Sequence, residues 1–486
     1  MEDPFILNRR EFLAATAMVA ASALQARAQT VPAPLPATVP VPTSEIFDKP
    51  MRWAQLVLAD TDPGTYDLAF WLDYFKRIHA DGACLSAGGC VAYYPTQIPF
   101  HYKSASMKTG TDPFGDLVNG CRKMNMAVIA RTDPHSIRDD AAAAHPEWVA
   151  CDVSGAKRKH WAAPNRWVTC CFGDYNFQFM NDVHKEIVTR YPVDAIFVNR
   201  WQGSGTCYCD SCKRQFRDFC GMEIPRGTAA NDPQNVATRN YLQWSGKRLF
   251  ELWRTWDSAI REINPKACFV ANSGGGSTST LDMKTIGDLA PIMAADRQSR
   301  RGIMAPWASG KNGKEFRATL GNKPVLGIAA LGIDDDHRWK DSVLNEPELR
   351  IWIADGLANG LRPWIAKFGG IVYDKRWMPA IEKIYTWQFQ NEKYLRNTQN
   401  LARVAMVYSQ QTGTYYGGAN KRSKVEDHEL GLYHALVEAR IPFEMVHDKL
   451  LDAPNIDRYK LLLLPNTAAL SDAQCDQLRQ YVRRGG

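Results

Sequence analysis

Three thiols stand out by their spacing alone. Cys207, Cys209 and Cys212 form a C-x-C-x-x-C run. Sulfurs this close together can face one point, as tetrahedral thiolate coordination of Zn²⁺ requires. A fourth ligand must come from elsewhere. Cys171 and its neighbour Cys170, upstream of a helical segment at 177–190, are the first candidates, and Cys220 and Cys151 are alternatives. Disulfides or free thiols are the other uses open to the 12 cysteines of the chain. A redox C-x-x-C would open a helix after a strand in a thioredoxin-like unit, and no such unit is visible. A zinc ion held by sulfurs at all four positions has no open site, so it would pin loops together and would not activate water.

A second set of groups is scattered along the chain: Asp60, Asp133, His135, Asn199, Arg200, Trp201, Asp296 and Asp335. Their chemistry depends on elements that bring them together. From residue 52 the chain alternates strand-like and helix-like segments. Strands are expected at 52–59, 83–92, 126–131, 193–198, 267–271, 292–295, 325–330 and 362–368. Helices with apolar residues at 3–4 spacing are expected at 67–79, 114–124, 177–190, 241–264 and 348–359. Such alternation is the pattern of a (β/α)₈ TIM barrel, whose chemistry sits at the C-terminal ends of its strands. Each residue of the second set directly follows one of these strands. Asn272, Arg297 and Lys367 share that position.

A new alternation begins near residue 400, with strands at 403–408, 442–447 and 460–464 and helices at 429–439 and 471–484. Residues 45–398 are therefore read as the barrel. Residues 399–486 are read as a partial flavodoxin-like or glutamine-amidotransferase-like α/β domain, truncated where a further strand should follow Gly485-Gly486. Ahead of both, Asn8-Arg9-Arg10-Glu11-Phe12-Leu13, an apolar run and Ala26-Arg27-Ala28 resemble a twin-arginine export signal over residues 1–28. An ordinary secretory signal is the alternative. Residues 29–44 read as a Pro-rich spacer. The expected location is the periplasm or the medium. The apolar run is shorter than the ~20 residues of a membrane span.

The 486 residues are 45% apolar and 23% charged, as in an ordinary soluble protein. The net charge of +7 is mixed along the sequence, without the basic block that a nucleic-acid groove needs.

Residues 193–199 (Val193-Asp194-Ala195-Ile196-Phe197-Val198-Asn199), then Cys207-Tyr208-Cys209 and Cys212, then Lys213-Arg214-Gln215-Phe216, resemble the strand-four region of a barrel family described as hypothetical glycosyl hydrolase 6. They are also similar to the family 42 β-galactosidases. His145-Pro146-Glu147-Trp148 with Asp152 and Gly155 resembles the segment those families place after strand three. Leu464-Pro465-Asn466 and Tyr481-Val482-Arg483-Arg484-Gly485-Gly486 resemble the start of the β-galactosidase trimerisation domain. The likeness spans residues 50–486. It implies a glycosidase acting on a galactoside, fucoside or related glycan, a homotrimer, and a structural zinc on Cys171, Cys207, Cys209 and Cys212. The 15 Trp residues suit a sugar cleft as well as a core.

The sequence departs from those families at the end of strand four. The family 42 pattern has Asn-Glu there and the fucosidase-like pattern has Asp, whereas this chain has Asn199-Arg200. An amide can neither attack as a carboxylate nor donate an acid proton. Most glycosidases need two carboxyl groups. Asp296 is therefore expected as general acid, with Asp133 or Asp335 as the second carboxylate. Asn199, Arg200, His135 and Asp60 are expected to bind substrate, and Trp201 to offer a stacking face. The alternatives are a binding-only carbohydrate barrel that has lost the strand-four carboxylate, or another enzyme class on the same scaffold.

Overall fold

A computed structural model describes residues 45–300, 304–332, 342–397 and 399–486. The expected export signal and spacer, and Asp335, lie outside the described residues.

Eight parallel strands close into a barrel. They are β1 (Trp53–Val57), β2 (Gly82–Gly89), β3 (Ala127–Asp133), β6 (Ala195–Val198), β7 (Cys268–Ser273), β8 (Met293–Ala295), β9 (Val325–Ala330) and β10 (Leu361–Phe368). All eight fall on the segments expected from sequence. Between the third and fourth barrel strands, β4 (Ser136–Arg138) and β5 (Arg166–Val168) form an antiparallel pair over the barrel mouth. That insertion was not expected.

Alternation along each strand builds two apolar layers. Inward residues such as Trp53, Ile129, Phe197, Val270, Leu326 and Trp364 fill the barrel. Outward residues such as Leu56, Leu85, Val128 and Ile196 pack under the helices. Filling is tight: a Cβ at Gly82 would lie 2.5 Å from the Trp53 ring. Near the mouth, a bulge at Ser86/Gly88 shifts the register of β2 on β3, and pairing resumes at Gly88–Thr132 and Gly89–Asp133. There Gly89 takes φ +99°, and a Cβ would strike the Asp133 backbone at 2.4 Å. Two neighbouring strand ends can thus come close together.

A smaller parallel sheet follows, with β11 (Val404–Tyr408) between β12 (Phe443–His447) and β13 (Leu461–Leu463). It packs against the helix Ala308–Leu320, whose Lys311, Asn312, Lys314 and Glu315 are all buried. Tyr408 donates its hydroxyl to the Glu315 carbonyl, and Lys314 donates to the Phe443 carbonyl. Charged residues hid this helix from pattern reading, because buried partners within it and on the segments around the second sheet satisfy them. Among the described residues, no helix is long and apolar enough to cross a membrane.

Candidate active site and thiol cluster

The loop after β6 carries both groups of interest. Its far end holds the cysteines. The sulfurs of Cys170, Cys207, Cys209 and Cys212 lie within 4.8 Å of one another and are buried. Cys170 Sγ is 3.7 Å from Cys209 Sγ and 3.5 Å from Cys212 Sγ. Sulfurs about 2.3 Å from a zinc ion form a tetrahedron with edges of about 3.8 Å, so the set fits. The Cys151 backbone N–H also points at Cys207 Sγ, 3.4 Å away.

The expected fourth ligand, Cys171, is corrected to Cys170. The two adjacent cysteines after β5 face different partners. Cys170 turns to the cluster. Cys171 instead donates to the Trp201 carbonyl at 3.1 Å, and burial pushes its thiol up to about 12.

The near end of the loop helps line a cavity of about 380 Å³ at the C-terminal ends of the barrel strands. Gln55, Arg131, Asn199, Asn272, Asp296 and Gln298 supply its polar wall, and Phe197 and Ile328 its apolar floor. Amides connect the Asp296 of its wall to Asp133 at the end of β3. Asn199 donates Nδ2–H to Asp133 Oδ1 at 2.5 Å. Asn272 donates to Asn199 Oδ1 and to Asp296 Oδ2, both at 2.9 Å. Gln298 donates to the remaining Asp296 oxygen at 2.8 Å. The chain of bonds therefore runs from β3 through the ends of β6 and β7 to the end of β8.

The two aspartates differ in what surrounds them. Asp133 accepts both arms of Arg131, at 2.9 and 3.0 Å. Burial alone would raise its carboxyl, but the guanidinium and Asn199 hold it down to about 2. Such a group is no proton donor near neutral pH. Asp296 has amide donors on both oxygens and, among the described residues, no arginine in ion-pair contact.

Other expected residues fall as follows. Asp60 pairs with Arg138 at 2.5 Å and more loosely with Arg166 at 3.7 Å. Trp201 does not offer a stacking face. It is fully buried, edge-on to Trp253 and Phe269, and supports the loop from beneath. Arg200 takes a left-handed φ of +51°, which costs roughly 1–2 kcal/mol, and its guanidinium sits 4.8 Å over the ring of Trp161. His135 neighbours Trp161, 5.7 Å away between ring centroids. Both its ring nitrogens are 3.8–3.9 Å from Cys90 Sγ. Burial would lower the imidazole, yet the Cys90 sulfur raises it overall. Burial likewise raises the Cys90 thiol, and His135 brings it down on balance.

Trp161 was missed from the sequence. It is 56% exposed and stacks on His160 at 3.9 Å. It belongs to the inserted hairpin, and no strand-end rule points to it. Arg131 was missed too, because it lies inside a strand. Among the described residues, Asp60 Oδ1, His160 Nε2, Asn272 Oδ1 and Gln298 Oε1 are buried without a hydrogen-bond partner in the protein. Leaving such an atom unpaired costs about 1–3 kcal/mol, so a polar guest is favoured here.

Residues 67–200 match the sequence model of the family described as hypothetical glycosyl hydrolase 6. No sequence among the curated proteins matches this chain. The fold is similar to that of α-L-fucosidase isoenzyme 2 from Paenibacillus thiaminolyticus, with TM-score 0.69, 20% identity and coverage of 90% of this chain. The chain spans 63% of that fucosidase. It is also similar to a β-galactosidase from Bacillus circulans sp. alkalophilus, with TM-score 0.71, 14% identity, and coverage of 91% of this chain and 71% of the other. A catalytic mutant of a family 42 β-galactosidase from G. stearothermophilus gives TM-score 0.70 and 14% identity, over 90% of this chain and 70% of the other. The chain thus has a glycoside-hydrolase-like TIM barrel, and its strand-two to strand-four region carries the hypothetical glycosyl hydrolase 6 pattern.

Proposed function

We propose that this protein is an exported glycoside hydrolase whose reacting carboxylate is Asp296. The observation that carries the reading is the amide chain from Asp133 through Asn199 and Asn272 to Asp296. It fixes Asp296 at the cavity wall with both oxygens accepting, which suits a nucleophile or a base that activates water. The acid role expected for Asp296 passes to His135. Its ring keeps its proton more readily through the neighbouring Cys90, and it neighbours Trp161, over which Arg200 lies. Asp133, tied to Arg131, orients Asn199 and takes no proton. Sugar hydroxyls pair with the unpartnered atoms of Asn272, Gln298 and Asp60. Trp161 provides the stacking face.

In the reaction, His135 gives its proton to the leaving oxygen as the glycosidic bond breaks. Asp296 attacks the anomeric carbon or takes a proton from the attacking water. A zinc ion on Cys170, Cys207, Cys209 and Cys212 would anchor the loop that carries Asn199 and Arg200. Export through the twin-arginine route would deliver the chain already folded, with such a metal in place.

The test is a hydrolysis screen of purified protein against aryl α- and β-glycosides and galactosyl and fucosyl oligosaccharides. Turnover of at least one is expected. Sugar binding without turnover would instead establish the binding-only barrel.

A further inference from the structure

Next to Arg200 of the cavity wall, the hairpin of β4 and β5 and the loop between them are rich in hydrogen-bond donors. Ala162 donates its backbone N–H to His160 Nδ1 at 3.1 Å, so the ring hydrogen of a neutral His160 sits on Nε2. That Nε2–H is buried and has no partner in the protein. Burial, followed by the positive charges of His135, Arg166 and Arg200, pushes the His160 imidazole down to about 4. The ring is therefore a neutral donor in a positive field.

The neighbouring charges do not cancel. Arg138 holds Asp60 at 2.5 Å, which leaves Arg166 a second-best contact to the same carboxylate at 3.7 Å. Asp139 is engaged by Lys159 at 3.1 Å. Among the described residues, Arg200 has no carboxylate partner; its guanidinium lies over Trp161, whose ring is open to solvent. At the end of β3, Arg131 and Asp133 neutralise each other. The result is an aromatic face flanked by Arg166, Arg200 and the Nε2–H of His160. A neutral sugar would bring as many donors as acceptors to this face. A carboxylate or sulfate brings acceptors alone, and a guanidinium meets it with paired N–H groups.

We infer that the glycan taken by this cleft is acidic, with a uronate or sulfate-bearing sugar stacked on Trp161 and its anionic group held by Arg200, Arg166 and His160. The inference rests on the reading of the cleft as glycan-processing and narrows its substrate class. Both anions present the same chemistry to these groups, and the two acidic probes below separate them.

The experiment is calorimetric binding of digalacturonate, a chondroitin 4-sulfate disaccharide and neutral galactobiose to the full chain. It is run on the wild type and on Asp296→Asn, so that the lost carboxylate is not itself the source of any preference. At least one acidic probe is expected to bind about tenfold or more tightly than galactobiose. Added salt should weaken that preference. Arg200→Gln and Arg166→Gln should each reduce acidic binding severalfold and galactobiose binding much less, with Tm confirming that each variant folds. Galactobiose binding as tightly as the acidic probes overturns the inference and leaves the glycan-processing reading intact. A preference that survives the Arg166→Gln/Arg200→Gln double variant also overturns it. Binding of no saccharide overturns both.

Discussion

The thiol cluster and the cleft hang on the same loop after β6, yet they are encoded differently. Three of the four sulfurs come from six consecutive residues, Cys207 to Cys212, and the fourth comes from one nearby segment. The cleft takes Asp133, Asn199, Asn272 and Asp296 from four different strand ends, joined only by barrel closure. The first site depends on local spacing and the second on topology. A substitution should therefore act all-or-none in the cluster and by degrees in the cleft.

The largest effect tests which neighbour belongs to the cluster. Cys170→Ser should lose bound zinc and cost about 4 kcal/mol or more in unfolding free energy, as loss of a structural metal does. Cys171→Ser should keep the metal and lose only about 1 kcal/mol, the worth of its bond to Trp201. Elemental analysis with denaturant unfolding checks both, and metal loss in Cys171→Ser would reverse the assignment.

The two tryptophans of the cleft region give the next contrast. Trp201→Ala, which empties a buried ring site, should cost about 3–5 kcal/mol. Trp161→Ala should change stability by no more than about 0.5 kcal/mol, because its ring is exposed, while weakening saccharide binding severalfold. Thermal unfolding and binding measured together check this. Equal stability losses would mean that Trp161 is a packing residue.

A smaller effect is expected where the helix after β11 meets the helix Ala308–Leu320. Glu429 is buried, accepts from the Ser277 hydroxyl at 2.8 Å and lies 3.7 Å from Lys311, which also pairs with Glu315. Glu426, linked to Arg297 at 3.5 Å, adds a further negative charge. Burial first, then Glu315 and Glu426, raise its carboxyl from the ordinary 4.5 to about 7. The folded chain thus holds a proton here that the unfolded chain has released. Its contribution to stability is full below pH ~4.5 and is lost as pH rises through ~7, an effect of about 3 kcal/mol. Glu429→Gln should remove that part of the pH dependence. An unchanged slope of unfolding free energy between pH 5 and 8 would contradict the assignment.

The same contrast explains what the sequence revealed. All eight barrel strands were legible, because buried parallel strands read as short apolar runs between amphipathic helices. Asp133, Asn199 and Asp296 were legible as positions, since the barrel rule points to strand ends. Their partners were not. Arg131 sits within β3 and reads as any charged residue until Asp133 is seen to fold back on it. The identity of the fourth thiol turned on which way one residue faces, and two adjacent cysteines look alike in one dimension. The hairpin of β4 and β5 with Trp161, and the buried polar helix Ala308–Leu320, break the patterns on which the reading relied. Each owes its position to contacts made far away in sequence.

The central claim, that Asp296 is the reacting carboxylate and His135 the proton donor, is tested most directly by changing the leaving group. Once the screen has identified the sugar, its 2,4-dinitrophenyl and 4-methylphenyl glycosides are compared in Asp296→Asn and His135→Asn. A dinitrophenolate leaves without protonation, whereas a methylphenolate needs an acid. The account predicts that Asp296→Asn loses about 10⁴-fold or more in kcat/KM on both substrates. His135→Asn should lose activity on the 4-methylphenyl glycoside alone. Wild-type turnover of the dinitrophenyl glycoside by Asp296→Asn would contradict it.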